Sequence, residues 1–169
     1  MPRETSELRA TRRIYASPEA VYDLVTDITR MGEWSPENEG GEWLDAASGP
    51  VVGARFRGRN KRTLSWKTTA VVTECRRGAA FTFAVGKHAP ERPETTWRYT
   101  FTKSGPGCRV TEMCEIVREP GRFGRFLTKL ATGVSWDDRP LDLAQGMEET
   151  LRRLGTVAER YNTAPAASQ

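Results

Sequence analysis

At 169 residues, 37% of them hydrophobic, the chain is long enough to bury one apolar core as a single domain, so structural metals and disulfides are not required. The 26 Lys and Arg residues outnumber the 22 Asp and Glu residues, but they are scattered along the chain, and a net charge of +4 without a basic block does not favour a nucleic acid partner. No stretch approaches the roughly 20 apolar residues of a membrane span, and the N-terminus lacks a signal peptide's apolar run, which predicts a cytoplasmic protein.

The first predicted elements are a strand and an amphipathic helix. Alternation of polar and apolar residues predicts a strand at 9–16. Residues 17–20 then supply an N-cap serine, a proline at the first helical position and an early carboxylate, which predicts the start of a helix. Gly32 and Pro36 mark its end or a break before a second short turn. The helix has one apolar stripe, formed by Val21, Leu24, Val25 and Ile28.

From residue 41 to 117, segments rich in Val, Thr, Phe, Trp and Tyr alternate with turn residues. Such short connections join antiparallel neighbours, because parallel strands need long crossovers. The pattern therefore predicts a six-strand antiparallel meander. Its strands are predicted at 42–45, 54–60, 65–74, 79–85, 95–102 and 109–117.

After Pro120 the pattern becomes helical again. A short amphipathic piece contains Phe123, Phe126, Leu127 and Leu130. A long helix is predicted at about 141–161, where apolar residues repeat at intervals of three and four. This stripe requires a large apolar partner, and the sheet is the candidate. Its members are Ala144, Met147, Leu151, Leu154, Ala158 and Tyr161.

Five segments resemble a known superfamily. They are 14–27 (IYASPEAVYDLVTD), 33–37 (EWSPE), 53–60 (GARFRGRN), 96–101 (TWRYTF) and 110–112 (VTE). The first is similar to the opening signature of the START-like, or SRPBCC, superfamily, which includes polyketide cyclases, lipid-transfer proteins and the birch-pollen-allergen group. The second resembles the part that follows the first helices of that superfamily. The last three resemble its bacterial polyketide cyclase/dehydrase and lipid-transport branch.

The resemblance implies a helix-grip fold. In this α+β architecture, a curved antiparallel sheet of about seven strands surrounds a long C-terminal helix, and the predicted elements follow the same order. We expect one domain at 8–161, a flexible segment at 1–7 and a disordered tail at 162–169. Because the superfamily includes carriers, cyclases, sensors, chaperone activators and oxygenase subunits, the fold does not decide the function.

Alternation along the strands assigns one face of each strand to the interior. Arg55, Arg57 and Arg59 are expected to face solvent, because burial of unpaired charge is costly. Period 2 then turns the other residues of that strand inward and sets the faces of the next strands. The predicted interior sets are Phe56, Gly58 and Asn60; Trp66, Thr68, Ala70 and Val72; Phe81, Phe83 and Val85; Trp97, Tyr99 and Phe101; and Val110, Glu112, Cys114 and Ile116.

An aromatic interior of this kind suits a cavity for a hydrophobic ligand, oriented by a few polar groups. Glu112 and Tyr99 are the candidate pair for proton transfer. The structural alternative is that Glu112 pairs with an arginine or with the Asn60 amide and that the aromatic residues fill a core. The expected ligand-binding residues are Trp34, Asn60, Trp66, Phe83, Trp97, Tyr99, Glu112, Met147 and Leu151.

The sequence offers little for metal or nucleotide chemistry. His88 is the single histidine and falls in a predicted surface loop at 86–90, which excludes multi-histidine metal sites. There is no glycine-rich phosphate loop, paired CxxC or dinucleotide fingerprint, so we expect neither metal nor cofactor. The three cysteines are odd in number and lack paired spacing, which predicts reduced thiols.

Three functions remain open on the sequence. The first is binding of a hydrophobic small molecule, such as a polyketide, lipid or aromatic metabolite, in a cavity between the sheet and the C-terminal helix. The second is a polyketide cyclase, aromatase or dehydratase that uses Glu112 with Tyr99 or Asn60. The third is a protein-interaction module built on the arginine-rich segment 55–62. A monomer and a homodimer are both compatible with these functions.

Overall fold

A computed structural model describes residues 6–163 of the chain. Within this range the strands are β1 (Ser6–Ile14), β2 (Asn38–Trp43), β3 (Arg55–Lys61), β4 (Ser65–Arg76), β5 (Ala80–Val85), β6 (Thr95–Ser104) and β7 (Gly107–Ile116). The α-helices are α1 (Pro18–Thr26), α2 (Arg122–Thr132) and α3 (Arg139–Thr163), and a 3₁₀ helix (Ile28–Glu33) follows α1.

The strands form one antiparallel sheet in the order β1-β7-β6-β5-β4-β3-β2. Strands β2 to β7 are the predicted meander, and β1 extends it by pairing with β7 from Ser6↔Ile116 to Ile14↔Cys108. The long helix α3 packs on the sheet, with most of its contacts to β1. The chain therefore has the predicted helix-grip architecture.

The start of α1 follows from its local sequence. Ser17 is the N-cap, and its hydroxyl accepts a hydrogen bond from the Ala20 amide at 3.2 Å. Pro18 occupies the first turn, where a missing amide hydrogen costs nothing. Val21 and Val25 of the predicted stripe are buried, so α1 contributes directly to the core.

Part of the core lies between β1 and the second half of α3, with α1 beside them. Leu151 and Leu154 of α3 are fully buried, as is Ile14 of β1. Aromatic rings extend this core along the sheet: Tyr22 of α1 contacts Phe101 edge-on, with ring centroids 5.7 Å apart. Burial of these side chains anchors the first and last elements of the chain together.

Strand β2 lies earlier than the predicted 42–45. The sequence Asn38-Glu39-Gly40-Gly41 has low strand propensity, which hid the strand. The register shifts between Asn38 and Gly40, and Gly40 has a φ of +125°, a conformation that other residues rarely adopt. The extra residue is a β-bulge, which is where a glycine in a strand is commonly found.

Tyr161 departs from the predicted buried stripe of α3. Ala158 is buried one turn earlier, but the Tyr161 side chain is 64% exposed. Its hydroxyl accepts a hydrogen bond from Arg30 at 2.9 Å, and the Arg30 guanidinium lies over its ring. The last turn of α3 is therefore attached to the 3₁₀ helix by a surface contact rather than by core packing.

The predicted flexible segment 1–7 and disordered tail 162–169 lie largely outside the described residues. Where they overlap the structure, Ser6 and Glu7 belong to β1 and Asn162 belongs to α3. The described strands and helices therefore extend past the predicted bounds 8–161 at both ends. Among the helices described, none is long and apolar enough to cross a membrane.

Candidate ligand cavity

A cavity of about 460 Å³ lies between the sheet, the first half of α3, α2 and the loop after the 3₁₀ helix. This volume is within the range of small-molecule sites. Aromatic side chains from four strands form much of its wall, and these are Phe56, Trp66, Phe83, Trp97 and Tyr99. The space can therefore accommodate a hydrophobic molecule of moderate size.

The pleat of the strands explains why the wall is aromatic. On β3, Phe56, Gly58 and Asn60 are buried, whereas Arg55 and Arg59 on the other face are exposed. The faces predicted for the neighbouring strands are confirmed, since their inward residues are buried or line the cavity. The lining members are Trp66, Thr68 and Ala70 of β4, Phe83 and Val85 of β5, Trp97 and Tyr99 of β6, and Glu112 and Ile116 of β7.

The structure brings together nearly all of the expected ligand contacts. The cavity wall contains Trp34, Asn60, Trp66, Phe83, Trp97, Tyr99, Glu112 and Met147. Leu151 is the exception. It follows Met147 by one turn of α3, but it lies where the helix packs directly on the core and is fully buried there. This packing removes Leu151 from the candidate site.

Glu112 and Tyr99 form a buried pair on this wall. They lie directly opposite each other in the register of β6 and β7, and both side chains point inward. The Tyr99 hydroxyl donates a hydrogen bond of 2.6 Å to Oε1 of Glu112. The second oxygen, Oε2, is buried and has no hydrogen-bond partner among the described residues. Such an orphaned oxygen is costly unless a bound molecule satisfies it.

The environment favours the neutral form of both groups. Burial raises the pKa of Glu112 to about 8, although the hydrogen bond from Tyr99 acts in the opposite direction. Burial and the neighbouring carboxyl also raise the pKa of Tyr99 well above its usual value. At neutral pH Glu112 is therefore mainly a carboxylic acid, whose hydroxyl can donate a hydrogen bond to an acceptor in the cavity.

Asn60 does not serve as the partner of Glu112. Its Oδ1 accepts a hydrogen bond from Asn38 at 3.1 Å, and its Nδ2 donates to Thr68 at 3.2 Å. These contacts join β2, β3 and β4 at one side of the cavity. Asn60 is therefore satisfied within the sheet. Of the neighbours expected for Glu112, it is Tyr99 that bonds the carboxyl, and not Asn60 or an arginine.

An ionic cluster that the sequence did not reveal closes another part of the wall. Arg139 at the start of α3 is 7% exposed and donates to both oxygens of Glu37, at 2.6 and 2.8 Å. It also bonds Asp142, which in turn accepts from Arg62 at 3.2 Å. The cluster ties the β3–β4 turn and the loop before β2 to α3. These residues are distant in sequence and of ordinary surface types, so no local pattern indicates them.

The arginine-rich outer face of β3 is partly neutralised within the chain. Arg55 forms an ion pair with Asp45 at 3.0 Å, and Arg57 forms one with Glu42 at 3.4 Å. Both pairs are exposed, and such pairs contribute little to stability. They do, however, reduce the positive charge that a protein partner would meet on this strand.

Comparison with known proteins gives the family. The model of the family described as "Polyketide cyclase / dehydrase and lipid transport" matches residues 5–159. The chain belongs to this family. The resemblance found in the five sequence segments is thereby confirmed. No curated protein matches the chain.

Solved structures of similar proteins have the same architecture. The Polyketide_cyc-like protein Cgl2372 from Corynebacterium glutamicum is 28% identical, with all of both chains covered and a TM-score of 0.62. The di-domain ARO/CYC StfQ from the steffimycin biosynthetic pathway is 13% identical, with a TM-score of 0.71 over 95% of this chain and 53% of StfQ. The di-domain ARO/CYC BexL from the BE-7585A biosynthetic pathway is 17% identical, with a TM-score of 0.66 over 98% and 52%. At these identities the two di-domain proteins show the fold alone.

In this member of the polyketide cyclase/dehydrase and lipid transport family, few described residues on the cavity wall could take part in proton transfer. Glu112 and Tyr99 lie on the sheet side, and the other charged residues are mostly held in the Arg139 cluster. His88 is exposed in its loop, as expected. Burial raises the pKa of Cys114 to about 12, so this thiol stays protonated. On the described cavity wall, Glu112 carries a carboxyl whose pKa is raised to about 8.

Proposed function

We propose that the cavity binds a hydrophobic small molecule, such as a polyketide, lipid or aromatic metabolite, with the Glu112 carboxyl as its polar anchor. The observation that carries the proposal is the buried, unpaired Oε2 of Glu112 in an aromatic cavity of about 460 Å³. A filled core would leave no room for a ligand, and a structural network would leave no oxygen without a partner.

The protonation state of Glu112 defines the class of ligand. With Oε1 occupied by the Tyr99 hydroxyl, the protonated carboxyl offers one hydrogen-bond donor to the cavity. Its best partner is a carbonyl or another acceptor oxygen on an otherwise apolar molecule. The aromatic walls favour a flat ring system, because rings stack in offset or edge-on geometry. Aromatic ketones and related polyketide-like molecules combine both features.

A matched pair of ligands tests the anchor. The affinities of 2-acetylnaphthalene and of 2-isopropenylnaphthalene, which has nearly the same shape but a CH2 group in place of the carbonyl oxygen, are measured by tryptophan quenching. Glu112→Met should shift the ratio of the two dissociation constants about five- to tenfold against the ketone, the worth of one hydrogen bond. Glu112→Gln keeps a hydrogen-bond donor at this position, so it should retain part of the preference for the ketone.

The control for the cavity is Gly146→Phe. Gly146 lines the cavity, and a Cβ there would meet no atom closer than Pro36 Cγ at 3.6 Å. A phenyl group at this position should fill the space and abolish binding of both ligands. If neither ligand binds the folded wild-type protein, or if Gly146→Phe leaves binding unchanged, the proposal is wrong.

A second candidate function is cyclisation or dehydration of a polyketide-like substrate, and the raised pKa of Glu112 favours it. A group that titrates at about 8 can exchange a proton near neutral pH. In its ionised form Glu112 would take a proton from the carbon beside a ketone and deliver it to a departing β-hydroxyl, which leaves as water.

The test substrate is 4-hydroxy-4-(2-naphthyl)butan-2-one, whose enone product absorbs at longer wavelength. Glu112→Gln should abolish turnover while ketone binding persists, and absence of wild-type turnover leaves binding as the function.

A further inference from the structure

Helix α2 has an unusual distribution of residues for a helix on a folded domain. The side that lines the cavity includes Thr128, Ala131 and Thr132, which are small or polar. Three large apolar residues lie away from the cavity and are exposed: Phe123 by 73%, Phe126 by 60% and Leu130 by 48%. Leu127 borders the cavity but is also 45% exposed. The amphipathic pattern is therefore real, but its apolar face is not covered by the described part of the chain.

A row of cations runs beside this apolar face. Phe123, Phe126 and Leu130 have the spacing i, i+3, i+7, and the cations Arg122, Arg125 and Lys129 have the same spacing one residue earlier. The two rows are thus neighbours along the helix. No acidic residue lies in α2.

The described part of the chain leaves two of these cations without an ion-pair partner. Arg125 pairs with Glu119 at 2.8 Å and approaches Asp137 at 3.9 Å. Within residues 6–163, neither Arg122 nor Lys129 forms an ion pair. Both are exposed and can meet an external anion. Exposed Phe and Leu beside a row of Arg and Lys is the composition of helices that lie in the surface of an anionic bilayer.

We propose that α2 docks this protein on the surface of an anionic lipid bilayer, with Phe123, Phe126 and Leu130 inserted at the headgroup level and the cations against the phosphates. A second copy of the chain fits this face less well. An antiparallel two-fold contact through α2 would place the two rows of cations on the same side of the interface, where they repel each other.

The position of α2 connects docking to the cavity. Leu127 and Ala131 line the cavity from the same helix whose outer face carries the apolar row. A bilayer bound there lies next to the wall of the binding space. The bilayer is therefore the source or destination of the apolar ligand, a step that rests on the proposed function.

Vesicle co-sedimentation tests the docking surface. The full chain is mixed with vesicles of equimolar phosphatidylcholine and phosphatidylglycerol, or of phosphatidylcholine alone, at low and high salt. We expect binding to the anionic vesicles that weakens with salt. Two variants should lose it: Phe123→Ser with Phe126→Ser, and Arg122→Glu with Lys129→Glu. At about fivefold for each cation removed, the charge variant should bind at least about 25-fold more weakly.

Matched controls lie on other surfaces. Val51→Ser with Val52→Ser removes two exposed apolar side chains from a loop, and Lys103→Glu with Arg109→Glu reverses two exposed cations on β6 and β7. Both should bind vesicles like the wild type, and circular dichroism should show that all four variants keep their helices. If the control variants lose vesicle binding as much as the α2 variants do, the proposal is wrong.

Two further outcomes would contradict docking. In the first, the wild-type protein does not sediment with either vesicle. In the second, ultracentrifugation shows a dimer that Phe123→Ser with Phe126→Ser converts to monomers, and this result would assign the apolar face to self-association. The α2 variants are also titrated with 2-acetylnaphthalene in vesicle-free buffer, where binding should be unchanged. Ketone binding without vesicle binding refutes docking alone, whereas vesicle binding without ketone binding refutes the proposed cavity function alone.

Discussion

The two halves of α3 face the same sheet and meet it differently. The second half presents Leu151, Leu154 and Ala158 to a solid core, and each is almost completely buried. The first half contributes Leu143, Gly146 and Met147 to the wall of a cavity. One helix therefore stabilises the fold at one end and shapes a binding space at the other.

The largest expected contrast is in stability. Leu151→Ala should lower the free energy of unfolding by about 2–5 kcal/mol, because it removes packed methyl groups and leaves a void. Leu143→Ala, on the cavity side, should cost much less, since its side chain already borders open space. Urea unfolding measures both. Equal losses would mean that the first half of α3 is packed like the second.

The pH dependence of stability probes the cavity half through Glu112. Its pKa is about 8 in the folded protein and near 4.5 in the unfolded chain, so between these values the folded state holds a proton that the unfolded state has released. The free energy of unfolding should therefore fall by about 1.4 kcal/mol per pH unit as the pH rises through this interval. Glu112→Gln should lack this slope. Parallel urea titrations of both proteins at pH 5, 7 and 9 check the difference, and parallel curves would contradict it.

The ionic cluster at the start of α3 should contribute less to the free energy of unfolding than the core residues do, but more than an exposed ion pair does. Arg139→Met leaves Glu37 and Asp142 without their main partner and should cost about 1.5–3 kcal/mol. Arg62→Met, which removes a more exposed cation from the same cluster, should cost under about 1 kcal/mol. Thermal unfolding ranks the two, and the reverse order would show that the cluster does not depend on Arg139.

The smallest effect is expected at the far end of α3. Tyr161→Ala removes the hydrogen bond and the ring contact with Arg30, which are exposed, and should cost about 0.5–1 kcal/mol. Ala158→Ser, one turn earlier in the core, should cost more because it buries a hydroxyl. If Tyr161→Ala lowers the free energy of unfolding more than Ala158→Ser does, the last turn of α3 is also packed against the core.

Much of the sheet could be predicted because alternation is a local property. The three arginines of β3 could only face solvent, and this choice oriented Phe56 and, through the register, Glu112. The cavity itself could not be located as well. Met147 and Leu151 have the same spacing and the same apolar character, so the sequence does not show which of them borders empty space. That difference depends on what packs opposite each residue.

Other features depend on contacts that no short pattern encodes. The spacing of Phe123, Phe126 and Leu130 predicts an amphipathic helix, but it does not show whether anything covers the apolar face. Arg139 and Glu37 are 102 residues apart, and each is an ordinary charged residue until the fold joins them. Unsatisfied or uncovered groups of this kind become visible only in three dimensions.

The pairing of β1 with β7 has a consequence for folding. Thr11 and Thr111, which face each other in this pair, are separated by 100 residues of chain. During synthesis β1 is complete long before β7, so β1 has no strand to pair with until the meander has been synthesised. Closing such a long loop is entropically costly, and contacts between distant segments slow folding. The pairing of β1 with β7 is therefore expected to be a late step in folding.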